Sequence, residues 1–557
     1  MLPRAALPSG AILRRALIAL GLIAVLCSSL ASGFLMDDWF HLERAGQPLS
    51  GRALDFAFDT GRAGIRLWVH PTPVLIRFFR PVVSLSFWID RRVWGLHAWG
   101  YHLTNILVHV LAAVAVFALG RAIGLSRRLA VLAAMAWCVS AASVPAVQWI
   151  SGRTEIFCGA ASFGAALMFL RWDRTRRVRY LALAALLAAL AIGAKETGLA
   201  VAPFTACLLY ARRRLQPGAR AGAIGLPLAL LATPALAVVA YRLLGPGFPL
   251  PEGAYTDWIR GPGDAMWFTL KPAWALIATL LSAPISHLGP LDVLRAHPAV
   301  ALLALGAGLA AVGAVVRAAG AGVAWPLLAA FVLTLAPSLP VLMNTLYFYQ
   351  PAAMLALLLA VAASRRPRYR YWLGYWMAAG VVAHLGIAVL QASASRLQDE
   401  QLVRIESAVR ERPIERLVVV DAPFWMYGVP EALRVRQRCV APEVWFVNFA
   451  PGLRPATPST LSWPAPLDLL VQLGRPEGLL SSRVEEFLSF GGSASAILSH
   501  SAVTVSAAES GAHPHRLLVR FASESALRRS LVLRVANGLP EVIGSPPRVG
   551  QGPVPSP

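Results

Sequence analysis

Long apolar runs alternate with short, arginine-bearing polar breaks for most of the chain, the pattern of repeated membrane spans and not of amphipathic helices around a soluble core. Apolar stretches near spanning length, about 17 to 25 residues, fall at 14–34, 97–119, 129–149, 156–170, 180–194, 198–211, 223–244, 298–316, 323–342, 346–363 and 371–391. A further stretch, 266–288, is interrupted by Lys271, Pro272 and Pro284 and reads as re-entrant or interfacial. Arg14 and Arg15 before the first run, and small residues after it, also fit a cleaved leader, but the chain continues unbroken into further spans. After about 392 the spans stop. LVVVDAP (417–423) reads as a buried strand ending in a turn, and the runs near 515–521 and 530–535 read as further strands. The expectation is an all-α polytopic membrane protein of about eleven transmembrane helices over 1–391. A small C-terminal α/β or β-rich extracytoplasmic domain follows over 392–536, then a Pro- and Gly-rich disordered tail over 537–557.

Composition supports this reading. The chain is 57% hydrophobic and 14% charged, with a mean hydropathy of +0.60. Its net charge of +23 would suggest nucleic acid on a soluble domain. Here the excess lies in clusters between apolar runs, at Arg121, Arg127 and Arg128, at 171–179, at 212–220 and at 365–370, so it reports orientation and argues against a nucleic-acid partner. With these clusters cytoplasmic, the protein is a multi-pass inner-membrane protein with a cytoplasmic N-terminus and a periplasmic C-terminal domain. Its outer face then carries a first loop (35–96), short turns near 150–156 and 194–198, and a second long loop (245–297). The five cysteines include four in apolar segments and only Cys439 beyond them, with no CxxC, so thiol chemistry and a zinc site are poor readings.

The chemistry gathers at the outer ends of the spans. FLMDDWFHL (34–42) places Asp37 and Asp38 directly after the first span. A carboxylate immersed in the bilayer costs about 2.5–3.5 kcal/mol on insertion scales, so a pair at the boundary asks for a partner, a water-filled cavity or a task. Adjacent like charges in a partly dehydrated site also raise one another's proton affinity, which suits a general base. On the same side lie Arg80 in RFFRPVV, with Asp90 shortly after, Arg153 and Glu155 in SGRTE, and Lys195 and Glu196 in GAKETG. His102 and Asn105 open the second span on one helical face, followed by His109. Each has a plainer explanation: Arg80 as a snorkelling cation, Arg153 with Glu155 and Lys195 with Glu196 as structural pairs, the histidines as packing residues. Their convergence on one face is what argues for a site holding a base opposite a phosphate. A divalent metal on Asp37, Asp38 and His41 fits the spacing but lacks a recognisable further ligand set, so no metal or cofactor is assigned.

DDWFHL, RPVVSLSFWIDRRVWGLHAWGYHLTNILVHVL (80–111), VQWISGRTEIFCGAASF (147–163) and AKETGLAVAPFTACLLYARR (194–213) together resemble the membrane half of the GT-C glycosyltransferases. The likeness is greatest to protein O-mannosyltransferase-like enzymes, including the transmembrane, tetratricopeptide-repeat-containing O-mannosyltransferases. It covers roughly 14–215 well and 323–363 faintly; LVVVDAPFWMYGVPEAL (417–433) resembles the C-terminal outer segment of bacterial relatives. The resemblance implies a polyprenyl-phosphate-linked sugar donor and inverting transfer to an acceptor hydroxyl of a protein, glycan or glycolipid on the outer face. It matches the family's first-loop acidic motif to Asp37 and Asp38. Two departures stand out: no tetratricopeptide repeats follow, and LMNTLYFYQPA (342–352) lacks the arginine that relatives often carry before this segment. Under this reading Asp37 is the catalytic base, Asp38 tunes it or orients the acceptor, and Arg153 and Lys195 with Arg80 bind the donor phosphate, while membrane lipid surrounds the spans. The rival readings are a transporter or flippase of a lipid or polyprenyl-linked sugar, and an oligosaccharide ligase or polymerase with a diphosphate-linked donor.

Overall fold

The computed structural model describes residues 21–49, 56–59, 65–67, 75–216, 224–244, 262–282, 298–339, 345–410, 414–423, 426, 428–437, 443–447, 449–450, 459–472, 498–500, 502–507, 516–536 and 539–543. Contacts divide the chain into two units. The first is helical and comprises 1–32, 79–247 and 257–392; the second comprises 33–78, 248–256 and 393–557.

Among the described residues of the chain, five helical segments are long and apolar enough to cross a membrane: Ala98–Ile123, Ile150–Thr175, Ala321–Ser338, Thr345–Arg365 and Pro367–Arg410. Shorter apolar helices accompany them, including Val178–Ala194 and Leu270–Leu280. The latter is the closing part of helix Pro262–Leu280, which has 19 residues with Pro272 inside it and lies in the stretch expected to be re-entrant or interfacial. Helix Tyr349–Arg365 is the centre of the first unit, with every residue from Tyr349 to Ala363 buried. Its alanines and leucines are met by Ala321–Leu335, Pro298–Ala319 and Arg127–Cys138. Small side chains allow such close approach, which matters where lipid removes the usual drive for apolar helices to associate.

The expected span 129–149 is not one helix. Arg127–Cys138 stops, and a separate short helix, Val144–Gln148, follows. The carbonyl of Cys138, released at the break, accepts a hydrogen bond from Ser143 Oγ at 3.0 Å and pairs with His109 Nε2 at 2.7 Å. Gly380 backs onto the break so closely that a Cβ there would collide with the Val139 carbonyl. VSAASVPAV is apolar enough to hide the break, and only Pro145 hints at it.

The second unit holds two five-stranded sheets. One is mixed, in the order Leu539–Val542, Ser530–Ala536, Arg416–Val420, Glu443–Phe446, Ile65–Leu67; its last three pairings are parallel. The other is antiparallel and includes Asp468–Gln472, Val503–Ala507 and Arg516–Phe521. Val418, Val420, Trp445, Val471, Val519 and Val532 pack in a common core between them. The strands read at 417, 515 and 530 are therefore present. Two features differ from the sequence reading. Residues 65–67 of the first loop join the C-terminal sheet, and the segment expected to be disordered from 537 supplies the edge strand Leu539–Val542.

Candidate functional site

In the second unit, the acidic pair sits on a tight turn. Met36 takes a left-handed conformation (φ 51°), Asp37 precedes helix Asp38–Ala45, and the Asp38 carboxylate accepts the Leu35 N–H at 2.8 Å. Asp38 is buried while Asp37 is half-exposed. The two aspartates thus have different surroundings: Asp38 is committed to the turn, and Asp37 is the more accessible to a reactant. His41 lies on Phe56, ring centroids 4.4 Å apart.

Helix Val429–Gln437 packs against Asp38–Ala45. Gly428 precedes it, where a Cβ would stand 2.7 Å from the Met36 carbonyl, so only glycine fits without moving the acidic turn. Arg434 bridges Glu43 at 2.8 Å and Glu431 at 3.2 Å. Burial pushes the Glu431 carboxyl up to about 8, with Glu43 adding to the rise and Arg434 opposing it. Glu431 therefore binds its proton more tightly folded than unfolded, where the ordinary value is 4.5. Its contribution is fully present below pH 4.5 and is lost as pH rises through about 8. Thermal unfolding of the protein across this window should show the second unit losing several degrees toward alkaline pH, and Glu431→Gln should flatten that slope. An unchanged slope in the variant would remove Glu431 as its cause.

In the first unit, the cations expected to face the outer side are each paired, but not with their sequence neighbours. Arg153 Nη1 meets Asp90 at 2.7 Å instead of Glu155. Lys195 meets Glu155 at 2.6 Å, and Arg80 meets Glu196 at 2.8 Å. Arg153 is completely buried: Nη2 donates to the Tyr101 carbonyl at 3.1 Å, Nη1 to Ser86 Oγ at 3.3 Å, and the guanidinium lies 4.1 Å from the Phe87 ring centroid. Lys195 is nearly as buried and stands 4.7 Å from the Tyr347 ring centroid. The Arg80–Glu196 side chains remain 12% and 28% exposed, which makes this the pair an incoming anion can reach. Burial raises the Glu196 carboxyl, and Arg80 and then Lys195 more than offset this, holding it below its usual range.

Asn105 is buried and donates to the Ile150 carbonyl at 3.1 Å, fixing the turn from which Arg153 starts its helix. His102 is buried beside the Ser32 backbone. His109 contacts Tyr349 Oη at 2.7 Å. Thr197 and Gln350, which had no prominence in the sequence pattern, join the Lys195–Glu155 pair through Thr197 Oγ1 to Glu155 at 3.4 Å and Gln350 Nε2 to Thr197 at 3.0 Å. Their signal is spacing alone: Thr197 lies two residues beyond Lys195, and Gln350 follows the aromatic LYFY run. Among the described residues, no three His, Cys, Asp or Glu side chains form a group that could hold a metal ion.

No family model matches the chain. It is 26% identical over 139 residues to a protein O-mannosyl-transferase of Caenorhabditis elegans, a match covering 24% of this chain and 19% of the relative. It is 34% identical over 122 residues to the protein O-mannosyl-transferase Tmtc1 of Drosophila melanogaster, covering 22% and 14%. The chain thus matches less than a fifth of either relative's length. The resemblance read from the motifs is present in these relatives. Similar solved structures include ArnT from Cupriavidus metallidurans bound to undecaprenyl phosphate, with TM-score 0.42 and 14% identity, covering 78% of this chain and 90% of that one. They also include the Archaeoglobus fulgidus oligosaccharyltransferase tethered with an acceptor peptide, with TM-score 0.40 and 13% identity, covering 78% and 64%. Likeness at this level assigns no role to any residue of this chain.

Proposed function

We propose that the protein is a membrane glycosyltransferase of the GT-C type that moves a monosaccharide from a polyprenyl-phosphate donor to an acceptor hydroxyl, inverting the anomeric carbon. The observation that carries the reading is the row of ion pairs Arg153–Asp90, Lys195–Glu155 and Arg80–Glu196, of which only the last is open to solvent. The sequence relatives named O-mannosyl-transferases support the same class.

Chemically, Asp37 takes the hydroxyl proton as the acceptor oxygen attacks the anomeric carbon, and the bond from that carbon to the phosphate oxygen breaks. Negative charge then grows on the departing phosphate. Arg80, exchanging Glu196 for the phosphate, offers two parallel N–H donors, and Lys195 adds a point charge behind it. Arg153, enclosed by Asp90 and two aromatic rings, acts by holding the outer turn in place.

The test is incubation of the purified protein with a panel of polyprenyl-phosphate sugars, followed by mass spectrometry of the released lipid phosphate. One donor should release it. In the same assay Arg80→Gln should raise the donor KM roughly tenfold to a hundredfold, the worth of a charge-assisted contact. Glu196→Gln, which removes the carboxylate charge that the phosphate would displace from Arg80, should leave KM unchanged or lower it. Equal KM values in all three proteins would remove Arg80 from the donor site.

A second reading, transport of a polyprenyl-linked sugar, draws on a buried polar chain among the helices. His384 contacts Ser143 Oγ at 3.2 Å and Gln148 Nε2 at 3.1 Å, and Gln148 donates to Ser28 at 3.1 Å. Polar groups at such positions often mark pathways. Here the His384 nitrogens, the Ser143 hydroxyl and the Gln148 amide N–H are bonded to one another, to Ser28 and to the Cys138 carbonyl, so helix locking accounts for them equally. Release of lipid phosphate from no donor, by folded protein, would favour transport.

A further inference from the structure

The arginine-rich end of the first unit contains a cleft of about 500 Å³ that the proposed chemistry does not use. Arg121, at the end of helix Ala98–Ile123, and Arg171 and Arg174, near the end of Arg153–Thr175, line it above an apolar floor of Phe117, Leu167 and Leu170. Among the described residues, no carboxylate lines it. The nearby acid, Asp173, is buried and engaged by Arg212 at 3.0 Å and Arg176 at 3.1 Å, with Arg213 at 3.9 Å. Three arginines therefore line one cleft with no acid among its described walls, Arg121 donating to the Leu125 carbonyl, an arrangement whose self-repulsion an incoming anion relieves.

We propose that this cleft binds the phosphate of an anionic glycerophospholipid, with the start of an acyl chain on Phe117, Leu167 and Leu170. The chemistry of the walls selects this occupant. Paired N–H donors of arginine match phosphate oxygens, while the apolar floor matches a chain attached to that phosphate, which a free phosphate ion lacks. The size is that of a small-ligand site. Basic recesses between membrane helices are general recognition sites for anionic headgroups. The cleft lies on the face expected to be cytoplasmic, opposite in sequence terms from the acidic turn, so this lipid is structural or regulatory and not the sugar donor.

Native mass spectrometry of the purified protein, released from vesicles of equal parts phosphatidylglycerol and phosphatidylcholine, tests the proposal. Wild type should retain phosphatidylglycerol in preference to phosphatidylcholine. The triple variant R121Q/R171Q/R174Q should lose that preference by roughly a hundredfold, the sum of three interfacial cations. R127Q/R128Q, which removes exposed charge from the same end but outside the cleft, should keep it. Should the triple variant fail to fold, as read by thermal unfolding, the exposed single changes Arg171→Gln and Arg174→Gln carry the test with proportionately smaller losses. Equal retention of both lipids by wild type, or equal loss in R127Q/R128Q, would overturn a built site in favour of diffuse attraction. Displacement of phosphatidylglycerol by an equimolar polyprenyl phosphate would overturn the choice of occupant.

Discussion

Asp37→Asn should reduce sugar transfer by on the order of 10²–10⁴-fold, the usual contribution of a positioned general base, while leaving donor binding and protein yield close to wild type. The expectation follows from how differently the turn treats its two acids. Asp38 spends its carboxylate on the Leu35 N–H and is buried, so Asp38→Asn should weaken the turn and lower thermal stability together with activity. Asp37 is half-exposed and its side chain makes no helix-capping bond, so its substitution removes charge at a position that solvent reaches. Single-turnover assays and equilibrium donor binding on both variants make the comparison. Equal activity loss and equal destabilisation in the two would mean that the pair serves the fold and not the reaction.

Arg153→Gln should carry the largest stability effect, about 3–5 kcal/mol, because it leaves Asp90 charged and buried with its principal partner removed. Among the described residues, Asp90 would retain the Thr104 hydroxyl at 2.9 Å. Replacing both charges with apolar groups of similar size, as in R153M/D90L, should recover much of the loss, since a buried pair's attraction is largely offset by the desolvation of its members. Thermal unfolding in one detergent, compared across the two single variants and the double, isolates the coupling. If Arg153→Gln melts with wild type but loses donor affinity, Arg153 belongs at the phosphate and the assignment of Arg80 as the reachable cation is wrong.

Much of the fold could be read from local pattern. LVVV at 417–420 becomes a buried strand because its apolar side chains meet neighbours on both faces, and helix Ala98–Ile123 forms where a predominantly apolar sequence reaches spanning length. What local pattern missed are effects set by distant partners. The helix break after Cys138 is made by Ser143, His109 and Gly380, none of which advertises it. The strand at 65–67 exists because Glu443–Phe446 offers a parallel edge almost 380 residues away. Among the candidate residues, charge and position in turns expected to be outer singled out Arg80, Glu155, Lys195 and Glu196, which the structure holds in ion pairs. Their pairing was not legible, because neighbours such as Arg153 and Glu155 point into different helix contacts once the chain folds. Glu431 was hidden for a similar reason: a glutamate at the start of a short helix looks solvent-facing until helix Asp38–Ala45 covers it.

The most direct measurement is the stereochemistry of the product. With a polyprenyl β-phosphate sugar as donor, the anomeric proton–carbon coupling of the product, read by NMR, should report an α-linkage, because one displacement with Asp37 as base turns the centre over once. A β-linked product would require an even number of displacements and would contradict the account.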